Sequence, residues 1–411
     1  ISYDSGSTWV LVKDKNGNPI PATGVQGPEG PQGSQGPAGI PGFDISETDE
    51  ALLITYMGVT YTLHKSNGNG GTTTGDWQIA AGFYHSLFLS PQGNLYAVGF
   101  NLSGQLGLGN YIRQHSPVFV IDNVKAVAAG TEYSLILKSD GKLYAAGENF
   151  FGQLGIGNTN NQSNLVLVAE NVAQIAAGDG HSLILKDNAE LYATGRNSEG
   201  QLGIGNNSHQ NSPVLVADNV KIIAAGRKYS LFLKKNGDLY AMGENSFGQL
   251  GIGNHISQNS PVPVANGVKS IAAGWDHSLI LKNDGELYAM GWNSSGQLGI
   301  GSTTNQTQPI LVTDNVQDIT AGDTHSLLRK NDGRLYAMGL NKWDAFGIGN
   351  NTNQVLPVLT DTKAIAKGAA HSLIRKSDGR IYTAGDNEFG QLGLGHETNV
   401  NVFTLIPDFG D

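Results

Sequence analysis

The chain has 411 residues, a mass of 43.3 kDa, a formal charge of −10 and a pI near 5.4, a balance that excludes nucleic acid as the main partner because a polyanion needs a basic face. No cysteine is present, which excludes disulfides and thiol chemistry. No apolar run reaches the roughly 18 residues that a membrane-crossing helix needs, so membrane insertion is not expected.

The chain begins at Ile1 rather than methionine, as a processed chain or a fragment would. Residues 1–23 carry an alternating apolar run from Trp9 to Val12, then Asn16-Gly17, Pro19 and Pro21, which predicts a short N-terminal β segment. Asp14, Asn16 and Asn18 have the oxygen spacing of a calcium loop. No glutamate follows at the required distance, so no metal is expected there.

Residues 24–44 change pattern: glycine stands at 24, 27, 30, 33, 36, 39 and 42, flanked by Pro28, Pro31, Pro37 and Pro41. Only glycine fits at the axis where three polyproline-like chains meet, so this period predicts a collagen-like triple-helical stalk about 60 Å long and hence a homotrimer. The alternative, a flexible Pro/Gly linker, has no physical reason to keep the period. Residues 45–65 then read as a β-hairpin connector, ALLITY and VTYTLHK about Met57-Gly58, which is too small to stand alone and would pair with its copies in a trimer. Residues 66–76, SNGNGGTTTGD, read as a flexible linker.

Residues 77–411 are repetitive. The glycine that closes a small-residue strand falls at Gly82, Gly130, Gly178, Gly226, Gly274, Gly322 and Gly368, spaced by 48 residues five times and then by 46. Each copy reads as four strands, illustrated by 261–264, 271–274, 278–282 and 287–291, and seven copies of four strands point to a seven-bladed β-propeller. Asp284-Gly285 and its equivalents supply the positive dihedrals of a two-residue hairpin. Asn188-Ala189 breaks that rule and is expected to be strained. The Ala-Ala-Gly strand ends suit a crowded axis. The last strand-like segment, 402–411, is expected to complete the first blade and so tie the ring shut. The fold class is therefore all-β, a seven-bladed propeller behind a collagen-like stalk and short β segments.

Three motifs carry a family resemblance: xAAGxxHSLxLK, DGxLYAxGxN and NxxGQLGxGN. Together they resemble the regulator of chromosome condensation repeat over the whole of 77–411, and the resemblance implies a seven-bladed propeller. The match departs at 341–349, NKWDAFGIG, and at Lys367. The family's founding member is a nucleotide exchange factor that binds chromatin through an insertion and basic segments, neither apparent here. A secreted bacterial inhibitor with similar repeats grips a protein with loops on one face. The Gly-X-Y rod resembles those of phage tail fibres and bacterial adhesins.

His85, His181, His277, His325 and His371 share one repeat position, which Tyr133 and Tyr229 occupy in the other copies. Tyrosine does not replace a metal ligand or general base without loss, but either ring can hydrogen-bond a neighbouring backbone carbonyl, so the position reads as structural. GQLGxG lacks the lysine of a phosphate loop, and the asparagines at 101, 149, 197, 245, 293, 341 and 387 read as bend residues. No catalytic set, metal site or cofactor is expected, and the protein reads as a non-enzyme.

Function is sought where the copies differ: the two residues before the repeated His/Tyr and the one after the fourth strand's glycine, which should emerge at one end of the ring. The candidate binding face is Phe83, Tyr84, Phe100, Arg196, Arg227, Trp275, Asp276 and Trp292, with Trp343 from the divergent loop. The alternative, that these rings plug the channel or cover blade tops, stays open. The leading expectation is the recognition head of a trimeric fibre, a phage tail fibre or bacterial adhesin, extracellular and bound to a cell-surface receptor of protein or glycan. The alternatives are a protein-binding inhibitor or regulator that acts through one face, and a structural spacer.

Overall fold

The computed structural model describes residues 43–47, 51–56, 59–64, 77–342, 346, 348, 350–360, 362–367, 371–376 and 379–407. The expected N-terminal β segment, the Gly-X-Y triplets as far as residue 42 and the linker at 66–76 lie outside the described residues, while Phe43 and Asp44, assigned to the stalk from the sequence, belong to a β-strand. The chain divides into two units, residues 1–72 with 410–411, and residues 73–409. No helix among the described residues is long and apolar enough to cross a membrane.

In the first unit Ala51–Tyr56 and Val59–His64 pair antiparallel, with Tyr56 opposite Val59. A third strand, Phe43–Glu47, which the sequence reading did not include, pairs with the first of these, and Phe43 lies opposite Tyr56.

The second unit consists of seven four-stranded antiparallel sheets, each built from four consecutive strands. The first blade contains Gln78–Ala81, His85–Leu89, Leu95–Gly99 and Gln114–Ile121 from axis to rim. The fifth contains Val268–Ala273, His277–Lys282, Leu287–Gly291 and Gln306–Thr313. Composition follows position in the blade. The second strand, HSLILK in the fifth blade, is buried along its length except at Lys282, whereas the rim strand, QTQPILVT, alternates between half-buried and exposed. Apolar clusters lie between blades rather than within them: Leu231, Leu233 and Leu239 of the fourth pack on Ile280 and Met290 of the fifth. Burying each such side chain contributes about 1.5–3 kcal/mol.

One expectation needs correcting: the Pro-Val strand is the rim strand of the preceding blade, not the first strand of its own. Gly99 pairs with Gln114 and Gly291 with Gln306, because the loop between them folds the chain back onto the same sheet. It follows that Val400–Leu405 pairs with Ile381–Gly385 of the seventh blade, Gly385 opposite Val400, and among the described residues no strand crosses into the first blade. The closing glycine of the inner strand answers both to the crowded axis, where a Cβ on Gly274 would lie 2.6 Å from the Gly322 carbonyl oxygen and one on Gly82 2.4 Å from that of Gly130, and to a ring. A Cβ on Gly274 would lie 2.1 Å from Cε1 of His277, and on Gly130 1.9 Å from Cε1 of Tyr133.

The ring is held by repeated junctions. In six of the long loops the last glycine N–H donates to the rim strand of the next blade, among them Gly109 to the Ser163 carbonyl and Gly253 to that of Thr307, both at 2.8 Å, and Gly395 to that of His115 at 2.7 Å. That last bond joins the seventh blade to the first. The same junction buries Phe88, Val98, Leu373, Ile381 and Ile406, with Trp77 packed against them. Ala189 turns its hairpin at φ 69°, against 88° for Gly285 at the equivalent place. Side chains rarely adopt that region, so the turn is strained.

Candidate functional site

The repeated His/Tyr position belongs to the scaffold. His85 Nε2 lies 3.0 Å from Ser134 Oγ of the next blade, His181 Nε2 2.9 Å from Ser230 Oγ, His277 Nε2 2.9 Å from Ser326 Oγ, and His371 Nε2 2.9 Å from Ser86 Oγ. Each of these serines donates its one proton to a loop carbonyl, Ser134 to Gln105 at 2.7 Å and Ser230 to Gln201 at 2.8 Å. The histidine is therefore the donor and carries its proton on Nε2. Where tyrosine stands instead, its hydroxyl donates to a backbone carbonyl: Tyr133 to His181 and Tyr229 to His277, both at 2.5 Å. The carbonyl partner expected from the sequence holds for tyrosine, while histidine takes a serine hydroxyl. Burial lowers the pKa of His85 to about 3 and those of His181 and His277 to about 4, since a second proton on Nδ1 would find no acceptor.

Above this layer the residue after the inner-strand glycine stands at the mouth of the central channel in six copies, at Phe83, Thr131, Asp179, Arg227, Trp275 and Asp323. Its backbone is locked around the axis. Phe83 N–H donates to the Thr131 carbonyl at 2.9 Å, Asp179 to Arg227 and Arg227 to Trp275 at 3.0 Å, and Trp275 to Asp323 at 3.2 Å. The channel cavity beneath, about 230 Å³, is lined by the Ala-Gly pairs and by these side chains. The residue after the third strand is tied to the one before the His/Tyr: Phe100 N–H donates to the Tyr84 carbonyl at 2.8 Å, and Arg196 to Gly180 and Trp292 to Asp276 at 2.7 Å. Phe83, Tyr84, Phe100, Arg196, Arg227, Trp275, Asp276 and Trp292 thus share one end of the ring, called the upper end below. Trp343 lies outside the described residues.

They fall into three groups. Phe83 and Tyr84 lie edge-on at 4.5 Å, and Phe389 of the seventh blade touches both Tyr84, at 4.9 Å, and Phe100, at 4.8 Å. Arg196 stands 5.2 Å from the centre of the Phe151 ring, with Nη1 3.2 Å from Asp179 Oδ2. Arg227 stands 5.4 Å from the Trp275 ring, 2.9 Å from Asp276 and 3.7 Å from Glu244, while Trp292 leans on Phe247 at 5.9 Å. Burial raises the Asp276 pKa to about 6, against the pull of Arg227 and with the help of Glu244. Glu148 is also raised, by burial and then by Glu132 and Asp179.

The rings are half-buried and not fully exposed as lone anchors would be, so packing and recognition share the same side chains. Sequence reasoning missed Phe151, Phe247 and Phe389. All three occupy the place before the Gly-Gln-Leu run, where the other copies carry Ser103, Glu199 and Ser295, and that variation was the available signal. No group of three or more potential metal ligands occurs among the described residues.

The family model described as an RCC1-like domain matches residues 64–315 and again 220–411. No curated protein matches the chain. Among solved structures, Prp20p from Saccharomyces cerevisiae, studied for its binding properties to Gsp1p and histones, is similar at TM-score 0.67 and 27% identity, covering 79% of this chain and 88% of Prp20p. Yeast RCC1 (Prp20) bound by Kap60 aligns at TM-score 0.67 and 25% identity over 85% and 92% of the two chains. Human WBSCR16 shares the fold at TM-score 0.65 and 22% identity over 76% and 94%. These neighbours overturn the extracellular location expected from the sequence: histones are proteins of the cell interior, and likeness to a histone-binding ring points to a nuclear or cytoplasmic protein.

Proposed function

The chain belongs to the RCC1-like domain family, and from that premise we propose that it is a non-catalytic binding and regulatory protein that grips a protein partner with the upper end of its ring. One observation carries this reading. Among the described residues six copies keep the same loop-glycine hydrogen bond to the next blade, yet the residues presented at the upper end differ in charge and aromatic content from copy to copy. A rigid frame that presents a different set of side chains from each copy gives a unique surface at little ordering cost. The binding of Gsp1p and histones by Prp20p supports protein recognition as a use of such a ring.

The test compares partner capture by the full chain, by Trp275→Ala/Trp292→Ala and by Lys221→Ala/Lys269→Ala, two exposed lysines at the other end. A partner lost with the tryptophans and kept with the lysines is the expected result, and one lost only with the lysines refutes the reading. The homotrimer through residues 24–44 stands as a separate proposal. Light scattering that gives a 43.3 kDa particle for the intact chain would end it.

A further inference from the structure

Twice at the upper end the chain sets a guanidinium over an aromatic ring and ties it to a carboxylate, Arg196 with Phe151 and Asp179, and Arg227 with Trp275 and Asp276. A cation held this way is drawn to the ring face and to the carboxylate together. The same ingredients meet a third time where the seventh blade closes on the first. There Tyr84, Phe100 and Phe389 form a half-buried platform with centroids 4.8–6.2 Å apart, edged by Phe83. Asp386, Glu388 and Glu132 stand close enough that, after burial, they are what raises the Tyr84 hydroxyl, and no cation among the described residues lowers it in turn. Ser103 Oγ donates to Glu132 at 2.8 Å, which fixes that carboxylate without neutralising it. Arg113 donates to the Glu388 carbonyl at 3.5 Å but gives its charge to Glu397, 3.2 Å away.

We propose that this platform docks a segment of a protein partner that presents a lysine or arginine side chain, the incoming cation taking the place that Arg196 and Arg227 fill at the other two sites. This deepens the one-ended reading above and rests on it. The partner is basic at the point of contact because ring faces and unmatched carboxylates favour the same sign of charge. Trp275 and Trp292 would then flank the contact on the far side of the channel mouth rather than receive the cation.

The experiment titrates the full chain with a labelled peptide of alternating lysine and glycine, and with its glutamate counterpart, at physiological ionic strength. The lysine peptide should bind and the glutamate peptide should not. Glu132→Gln/Glu388→Gln, which changes charge with little change of shape, should weaken binding about fivefold or more. Glu190→Gln/Glu286→Gln, on hairpins at the opposite end, should change it less than about twofold, since charges beyond a Debye length are screened. Tyr84→Ala should weaken binding further, but it also touches the blade junction, so the charge pair decides. Equal binding of both peptides, an equal loss in the hairpin pair, or parent-like binding by Glu132→Gln/Glu388→Gln overturns the proposal. A natural partner that needs Trp275 and Trp292 yet ignores the charge pair would keep the one-ended reading and discard this one.

Discussion

The junction between the fifth and sixth blades and the one between the seventh and first use the same chemistry under different constraints. His277 reaches Ser326 and His371 reaches Ser86, both at 2.9 Å, and Gly301 and Gly395 each donate to the next rim strand, at 2.8 and 2.7 Å. The fifth and sixth blades are also joined by the chain itself, Thr313 to Val316, whereas the partners at the closing junction are far apart in sequence, Ser86 and Gln391 by 305 residues. Closing so long a loop carries an entropic cost that side-chain contacts must offset. The closing junction has additional ones, the Tyr84, Phe100 and Phe389 rings above and Trp77 and Ile406 below. A ring without strand exchange can close when its last interface is as well packed as the others.

The most severe way to break this comparison is to end the chain after Asn399. This removes the rim strand of the seventh blade and the buried Ile406, and should lower the melting temperature by about 10 °C or more in calorimetry, since each kcal/mol is worth only a few degrees in a chain this long. Retention of the parent melting temperature would show that the closing junction does not depend on that strand. Next in size, Gly274→Ala and Gly82→Ala force a methyl onto the His277 and His85 rings and should each cost about 3 kcal/mol in denaturant unfolding. Near-equal costs would show that the first blade is as rigid as the fifth.

The third test uses pH. His85, His181 and His277 have native pKa values below the unfolded value of about 6.5, so the unfolded chain binds the extra protons as pH falls. Their stabilisation is complete above about pH 6.5 and is lost below it, at about 1.4 kcal/mol per pH unit for each histidine down to about pH 4. His277→Tyr should fold, as tyrosine does at positions 133 and 229, and should flatten the unfolding-versus-pH curve by one histidine's share. An unchanged slope would place the acid sensitivity elsewhere. The smallest effect belongs to a site remote from both junctions: Ala189→Gly relieves a positive φ and should raise stability by about 0.5–1 kcal/mol, read as a shift in the denaturant midpoint.

Repeat count, strand content and hairpin turns were legible because each is local. Asp284-Gly285 is a turn wherever it stands, and Asn188-Ala189 announced the strain that φ 69° records. The structural role of the histidines was legible too, since a position that accepts tyrosine excludes base chemistry. The division into blades was not, because a periodic sequence looks the same whichever strand is counted first. Only the pairing of Gly99 with Gln114 and of Gly385 with Val400 fixes the frame. The face followed the same division. Phe83, Tyr84 and Phe100 could be assigned to one end from strand direction, but Phe389 joins them only after the ring has closed. Sequence by itself determined the unit and its number; tertiary structure decided the partners across each junction, because packing between blades depends on distance in space and leaves no trace in sequence spacing.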